Sequence, residues 1–171
     1  MLLTATAGKG FGDAQTYAEL LTPAGLKVIS AWVTCIGPDK NQVIPRNPDG
    51  SLGSPSSLVA DAHAAGLTVV PYTFRAENSF LPTNLRVGAD PNDFGRAIDE
   101  DVTFMRTGID GLFCDQPDIG VESRKDFLAG LEGADVGASA SSPAPPDAPV
   151  AGPAGKVRPE QRKGRWRHPS R

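Results

Sequence analysis

Residues 58–73 read LVADAHAAGLTVVPYT, and the spacing of their apolar positions changes once, at Gly66. Before that glycine, Leu58, Val59, Ala62 and Ala65 recur at helical spacing and define one buried face. Ser54-Pro55 supplies a helix start, so a helix is expected over 55–65. Gly66 suits the left-handed position that ends a helix. After it, the β-branched, apolar run 67–73 predicts a strand, with Pro71 placed where the ladder needs no donor. A helix running straight into a strand is half of a βαβ unit, and the same alternation extends in both directions.

Upstream, VISAWVTCI (28–36) predicts a strand that stops at Gly37-Pro38, and a Pro/Asn/Asp/Gly loop follows from about 45 to 54. Further back, MLLTAT (1–6) predicts a short strand, and AQTYAELL (14–21) a short helix stopped near Pro23 and Gly25. Downstream, a long loop runs from Phe74 to about Pro91. A helix is expected over 92–107, with Phe94, Ile98, Val102 and Met105 on its buried face and Gly108 closing it. That assignment turns Asp99, Glu100 and Asp101 toward solvent. IDGLFC (109–114) predicts a fourth strand, and 121–131 a last helix. Four strands alternating with four helices imply parallel strands joined by right-handed crossovers, hence an α/β layer or barrel.

Composition sets the outer limits. The 171 residues carry a net charge of −3 and are 39% hydrophobic, which suits one domain of the usual ~100–200 residues. No run approaches the ~20 apolar residues that cross a bilayer, and the opening MLLTATAGKG does not read as a signal peptide. Cys35 and Cys114 cannot make a disulfide framework or a four-ligand zinc site. The charge divides unevenly. Residues 1–132 hold 10 Lys/Arg against 17 Asp/Glu, a net of −7, and residues 133–171 hold 7 against 3, a net of +4. The second segment is rich in Ala, Pro, Gly and Ser, then basic, and is expected to be a disordered tail. An acidic body argues against nucleic acid as a partner, although RKGRWRHPSR (162–171) is basic with one aromatic.

In parallel α/β folds, ligands gather at the loops after the C-terminal ends of strands. Here those loops read GPDKN (37–41), FRAEN (74–78) and DQPD (115–118). Three polar loops on one rim predict a pocket, with Lys40 and Arg75 as cations suited to an anion and Tyr72 and Phe74 as walls. Gly8, Gly10 and Gly12 follow the first strand but match neither the dinucleotide nor the Walker pattern, and read as a flexible turn. Cys35 and Cys114 read as small buried hydrophobes.

Taken together, IGPDKNQVIP (36–45), LVADAHAAGLTVVPYTFRAENSFLP (58–82) and GIDGLFCDQPDIG (108–120) closely resemble glycerophosphodiester phosphodiesterases. The likeness runs from residue 1 to about 130. HAAGLTVVPYTFRAEN is similar to the family's penultimate barrel strand, and GIDGLFCDQPD to its last. The resemblance implies a TIM-type (β/α)8 barrel that hydrolyses glycerophosphodiesters to glycerol 3-phosphate and an alcohol, using Mg²⁺ or Ca²⁺. It also implies that residues 1–132 supply only the C-terminal half, about four βα units. The family's catalytic and metal parts are an early His-Arg pair, a Glu-x-Asp motif, a second His and a Glu-x-Lys strand. None of these patterns occurs here; the histidines are His63, on the helix before the third strand, and His168. No catalytic or metal residue is therefore carried over. Lys40, Arg75, Glu77 and Asp115, with Tyr72 and Phe74, are carried over as substrate contacts.

Diester hydrolysis needs a cation on the phosphoryl oxygens and a placed acid and base. Two readings stay open at this point. The chain is part of a glycerophosphodiester phosphodiesterase, inactive alone, or it is a non-catalytic half-barrel that binds glycerophosphodiesters or pairs with another half. Relatives are often exported, but the compartment is not written in these residues. A half-barrel leaves apolar sheet edges open at strands 1–6 and 109–114, and self-association is expected through them.

Overall fold

The computed structural model describes residues 1–10 and 13–138. Its elements, in chain order, are β1 (Leu2–Thr4), α1 (Tyr17–Leu20), α2 (Pro23–Ile29), β2 (Cys35–Pro38), α3 (Lys40–Val43), α4 (Leu58–Ala64) and β3 (Thr68–Val69). A 3₁₀ turn (Thr83–Leu85), α5 (Ala97–Met105) and α6 (Pro117–Ala138) follow. Gly12, the tail beyond Ala138 with its basic end, and His168 lie outside the described residues.

Among the described residues the sheet has the order β1-β2-β3 and is parallel throughout, with Leu2 opposite Ile36 and Ile36 opposite Val69. The α/β class and the parallel alternation are therefore as expected, but the elements are shorter, except that α6 extends beyond the expected 121–131 at both ends and carries residues 133–138, expected in the disordered tail, as helix. α4 forms within the expected 55–65, burying Leu58, Val59 and Ala62, but begins at Leu58 after Ser57 rather than at Ser54-Pro55; Gly66 stands just beyond its end at φ +79°. Leu26, Ile29, Ile36, Val43, Leu67 and Val69 fill the space between the sheet and the helices around it, each nearly inaccessible to water. Full burial of such a side chain is worth roughly 1.5–3 kcal/mol.

Three sequence expectations need correction. The run 28–36 is not one strand. Thr22 caps a helix by accepting the Gly25 N–H at 3.1 Å, and Pro23, expected to stop a helix, stands in the first turn of one. The helix carries Val28 and Ile29, and only Cys35–Pro38 is strand. Gly25 is required there, because a side chain would run into the carbonyls of Glu19 and Leu20.

The fourth strand, 109–114, does not enter the sheet. It lies alongside β3 and its continuation, with Asp110 N–H on the Val69 carbonyl at 2.9 Å, Phe113 N–H on Pro71 at 3.0 Å and Phe74 N–H on Phe113 at 2.8 Å. The ladder is interrupted at two donors on this edge: the Asp110 side chain takes the Val69 N–H at 2.8 Å in place of a strand carbonyl, and Pro71 has no N–H to give. Asp110 also meets His63 at 2.9 Å, which places that histidine at the bottom of the sheet, in a structural bond.

The third correction has the largest consequences. α5 buries Ala97, Glu100, Asp101 and Phe104, while Phe94 is exposed and Ile98 and Val102 are half-buried. Phe104 meets Phe74 edge to face, with ring centroids 5.0 Å apart, and this fixes the rotation of the helix. Ser123 of α6 donates to Asp101 Oδ2 at 2.8 Å, tying the two helices together. Of the three acids expected in solvent, Glu100 and Asp101 lie under the protein's polar rim, and Asp99 is exposed as expected.

Candidate functional site

The C-terminal ends of β2 and of the β3 continuation open into a cleft of about 660 Å³. Its first wall is α3. Asp39 accepts the Asn41 N–H at 2.8 Å, and Gln42 Oε1 accepts the Asp39 N–H at 3.0 Å, so a reciprocal cap fixes the start of the helix. Lys40 N–H donates to the Tyr72 carbonyl at 2.7 Å. This backbone bond ties the start of α3 to the segment after β3.

Lys40 is the floor of the cleft. Its Nζ donates to both Glu100 oxygens, at 2.9 and 2.8 Å, and lies 5.2 Å from the centroid of the Phe74 ring. Glu100 is 1% exposed and Lys40 6%. Burial pushes the Glu100 carboxyl up, against the opposing pull of Lys40 and Arg46. Arg46 Nη2 stands 3.7 Å from Glu100 Oε1 and donates to the Phe80 carbonyl at 2.7 Å. Burial also draws the Arg46 guanidinium down; Glu100 opposes this, and neighbouring Arg86 adds to it.

The opposite wall is Arg75, stacked on the Phe80 ring at 3.9 Å. Nη2 donates to Glu77 Oε1 at 3.0 Å. Nε stands 3.2 Å from Asp115 Oδ2, an ion-pair distance, but without the alignment of a hydrogen bond. Glu77 is held below the ordinary carboxylate range by its own backbone N–H first, and then by Arg75. Tyr72 closes the side nearest β1, donating its hydroxyl to the Thr4 carbonyl at 3.0 Å. Burial and the charge of Asp39 push its phenol up.

The remaining side comes from the long loop after β3, which carries Ser79, Phe80, Leu81 and Arg86. Asn78 ties this loop across its base. Its Nδ2 donates to the carbonyls of Val87 and Asp90, at 2.7 and 2.9 Å, and its Oδ1 accepts the Val87 N–H at 2.9 Å. Arg86 Nε donates to the Leu81 carbonyl at 3.0 Å, and among the described residues Arg86 has no ion pair.

Of the residues singled out from sequence, Lys40, Tyr72, Arg75 and Asp115 line this one cleft. Two do not. Phe74 is 1% exposed and packs under Lys40 as core, because its partner is Phe104 rather than a ligand. Glu77 is turned back onto Arg75 and stays off the lining. Arg46, Phe80 and Arg86 line the cleft unforeseen, and so does the role of Glu100 beneath it. The rim reasoning that found Lys40 and Arg75 extends to them, since Arg46 lies between β2 and α4 and Arg86 between β3 and α5.

A divalent metal does not fit the residues at hand. Among the described residues no three His, Cys, Asp or Glu side chains converge. Of the two carboxylates that line the cleft, Asp39 turns Oδ1 to Asn41 and Asp115 turns Oδ2 to Arg75. Cys114 is half-buried, gives its thiol hydrogen to the Gln116 carbonyl at 3.0 Å, and has its pKa pushed up by burial, so it is no nucleophile. No helix of the described residues is long and apolar enough to cross a membrane.

A parallel α/β scaffold with a cationic cleft at its strand ends is the setting of phosphate-ester chemistry, and the sequence comparison agrees. The model of the glycerophosphoryl diester phosphodiesterase family matches residues 11–119, and the chain belongs to that family. Among individual proteins, a glycerophosphodiester phosphodiesterase of Arabidopsis thaliana is 41% identical over 101 residues, which are 59% of this chain and 25% of the plant protein. The chain spans about a quarter of the length of that relative. Members of the family hydrolyse phosphodiesters and generally depend on a divalent metal.

Proposed function

We propose that this chain forms the substrate-holding side of a glycerophosphodiester phosphodiesterase, with the reaction centre supplied from elsewhere. The observation behind this reading is the cleft itself, which gathers four cations, Lys40, Arg46, Arg75 and Arg86, while among the described residues no three His, Cys, Asp or Glu side chains converge. Residues 1–132 are read as the domain part, the C-terminal half of a (β/α)8 barrel. Its three paired strands and the bonded segment 109–114 provide the strand ends on which the rim stands.

In this reading Arg75 contacts the phosphodiester. Its plane is fixed by Phe80 and by two carboxylates, which leaves Nη1 to donate to a phosphoryl oxygen without reordering. Lys40 acts through its charge, since its three hydrogens face Glu100 and the Phe80 carbonyl. Tyr72 and Asp115 shape the wall for the glycerol or alcohol part. Mg²⁺ or Ca²⁺, held by groups outside this chain, would supply the neutralisation of phosphoryl charge.

The test is release of glycerol 3-phosphate from glycerophosphocholine by the purified chain, with Mg²⁺ or Ca²⁺. No release above the blank is expected from the chain alone. Release is expected once the N-terminal half-barrel of a family member is joined to it. Turnover by the chain alone would overturn the assignment. Binding of glycerophosphodiesters with no turnover in the joined protein would favour the alternative, a non-catalytic half-barrel. Exposed Leu3 on β1, Met1 just before it and exposed Phe113 on the other side leave apolar edges, so self-association is also proposed. A concentration-independent monomer in sedimentation would contradict it.

A further inference from the structure

The positive groups of the cleft are unevenly matched. Arg75 has Glu77 and Asp115 beside it, at 3.0 and 3.2 Å. Lys40 takes both oxygens of Glu100, leaving Arg46 a share of the same carboxylate at 3.7 Å. Arg86 stands near Arg46 and has no ion pair among the described residues. Asp39, the remaining acid on this side, turns Oδ1 to both nitrogens of Asn41. Arg46 uses Nε and Nη2 on Asn41 and Phe80 oxygens, and Arg86 uses Nε on Leu81. Among the described residues, Arg46 Nη1 and both terminal nitrogens of Arg86 have no hydrogen-bond acceptor.

Two guanidinium groups lining one cleft repel one another, and an anion bound between them relieves the repulsion while accepting from both. The phosphodiester of an ordinary substrate brings one negative charge, and Arg75 already stands ready for it on the opposite wall. A second anion is what the Arg46–Arg86 side lacks.

We infer that Arg46 and Arg86 form a head-group subsite that selects glycerophosphodiesters whose alcohol carries a second phosphate. This rests on the reading that the cleft takes glycerophosphodiesters. A choline head would bring a fixed cation toward two arginines, and a plain polyol would leave their nitrogens to water.

Titration calorimetry on the full 171-residue chain at low ionic strength tests the inference. The probes are glycerophosphoinositol 4-phosphate, glycerophosphoinositol and glycerophosphocholine. The 4-phosphate is expected to bind about tenfold or more tighter than the other two. Arg86→Ala is expected to bring all three to within about twofold, and Arg86→Lys to keep part of the preference, since a charge remains. Arg96→Ala removes a cation paired with Asp99 outside the cleft and is expected to leave the preference intact. Equal affinity of the wild type for all three overturns the inference and leaves the glycerophosphodiester reading standing. So does a preference that survives Arg86→Ala. No binding of any probe by a chain with native circular dichroism overturns both. Should Arg86→Ala fail to fold, the wild-type comparison and Arg86→Lys still decide.

Discussion

Two buried regions meet under the cleft, and they are made of opposite materials. On the sheet side, Leu26, Ile29, Ile36, Val43 and Val69 pack in one apolar cluster. On the α5 side, Lys40, Glu100, Asp101 and Ser123 are buried in contact, with Arg46 at their margin. The apolar region can exchange one hydrocarbon for another at modest loss. The charged region cannot, because each group is tolerable only while its partner is present. The first holds the fold together, and the second holds the cations of the cleft where they stand.

The sharpest way to break that contrast is to remove one half of the buried pair. Glu100→Ala leaves Lys40 buried without a counter-ion and is expected to cost about 3–5 kcal/mol in urea unfolding. Asp99→Ala, one residue earlier but exposed and paired only with Arg96, is expected to cost under about 0.5 kcal/mol. Similar losses at the two positions would show that the charge at Glu100 is not buried as described.

Asp101 separates the regions by pH. Burial first, and the neighbouring Glu100 charge next among the raising causes, push its carboxyl up to about 6, with Ser123 opposing. The unfolded value is about 3.9. The folded state therefore binds this proton more tightly. The stabilisation is complete below about pH 4 and is lost as pH rises through about 6. Asp101→Asn keeps an acceptor for Ser123 and removes the charge. It is expected to be about 2–3 kcal/mol more stable than wild type at pH 8, with the difference closing by pH 4. A gap that does not change with pH would contradict this.

Exchanging the material altogether should matter less. Replacing the pair together, Lys40→Met with Glu100→Leu, is expected to be close to neutral or to gain about 1–2 kcal/mol, while weakening glycerophosphodiester binding. A double variant as unstable as Glu100→Ala would mean that the pair does more for the fold than hydrocarbon can. On the apolar side, Gly66→Ala forces a side chain into the left-handed region at φ +79° and is expected to cost about 1 kcal/mol.

What the sequence made legible follows from how far each signal travels along the chain. α4 and Gly66 were readable because a periodic face and its stop lie within one segment. The rim at Lys40, Tyr72, Arg75 and Asp115 was readable because strand ends predict it. α2 was misread because β-branched Val28 and Ile29 suit a strand locally, while their packing on the core settles the helix. The buried face of α5 was misread for a longer-range reason. Glu100 finds its partner 60 positions away, and hydrophobic spacing cannot register a charge that is buried by pairing. Asp110 shows the same limit, since its side-chain bond to Val69, with the missing donor at Pro71, interrupts the ladder of a strand-like segment.

Asn78 gives the long loop a property that neither its length nor its composition suggests. Three bonds from one amide close a ring over Val87 and Asp90, so Phe80 and Arg86 ride on a closed loop rather than a free one. A ligand arriving at the cleft meets one surface instead of an ensemble of surfaces. Its observed affinity is then the intrinsic affinity, undiminished by the fraction of time the loop would otherwise spend open. Relatives that differ at this position would therefore differ in apparent affinity while making identical contacts once bound.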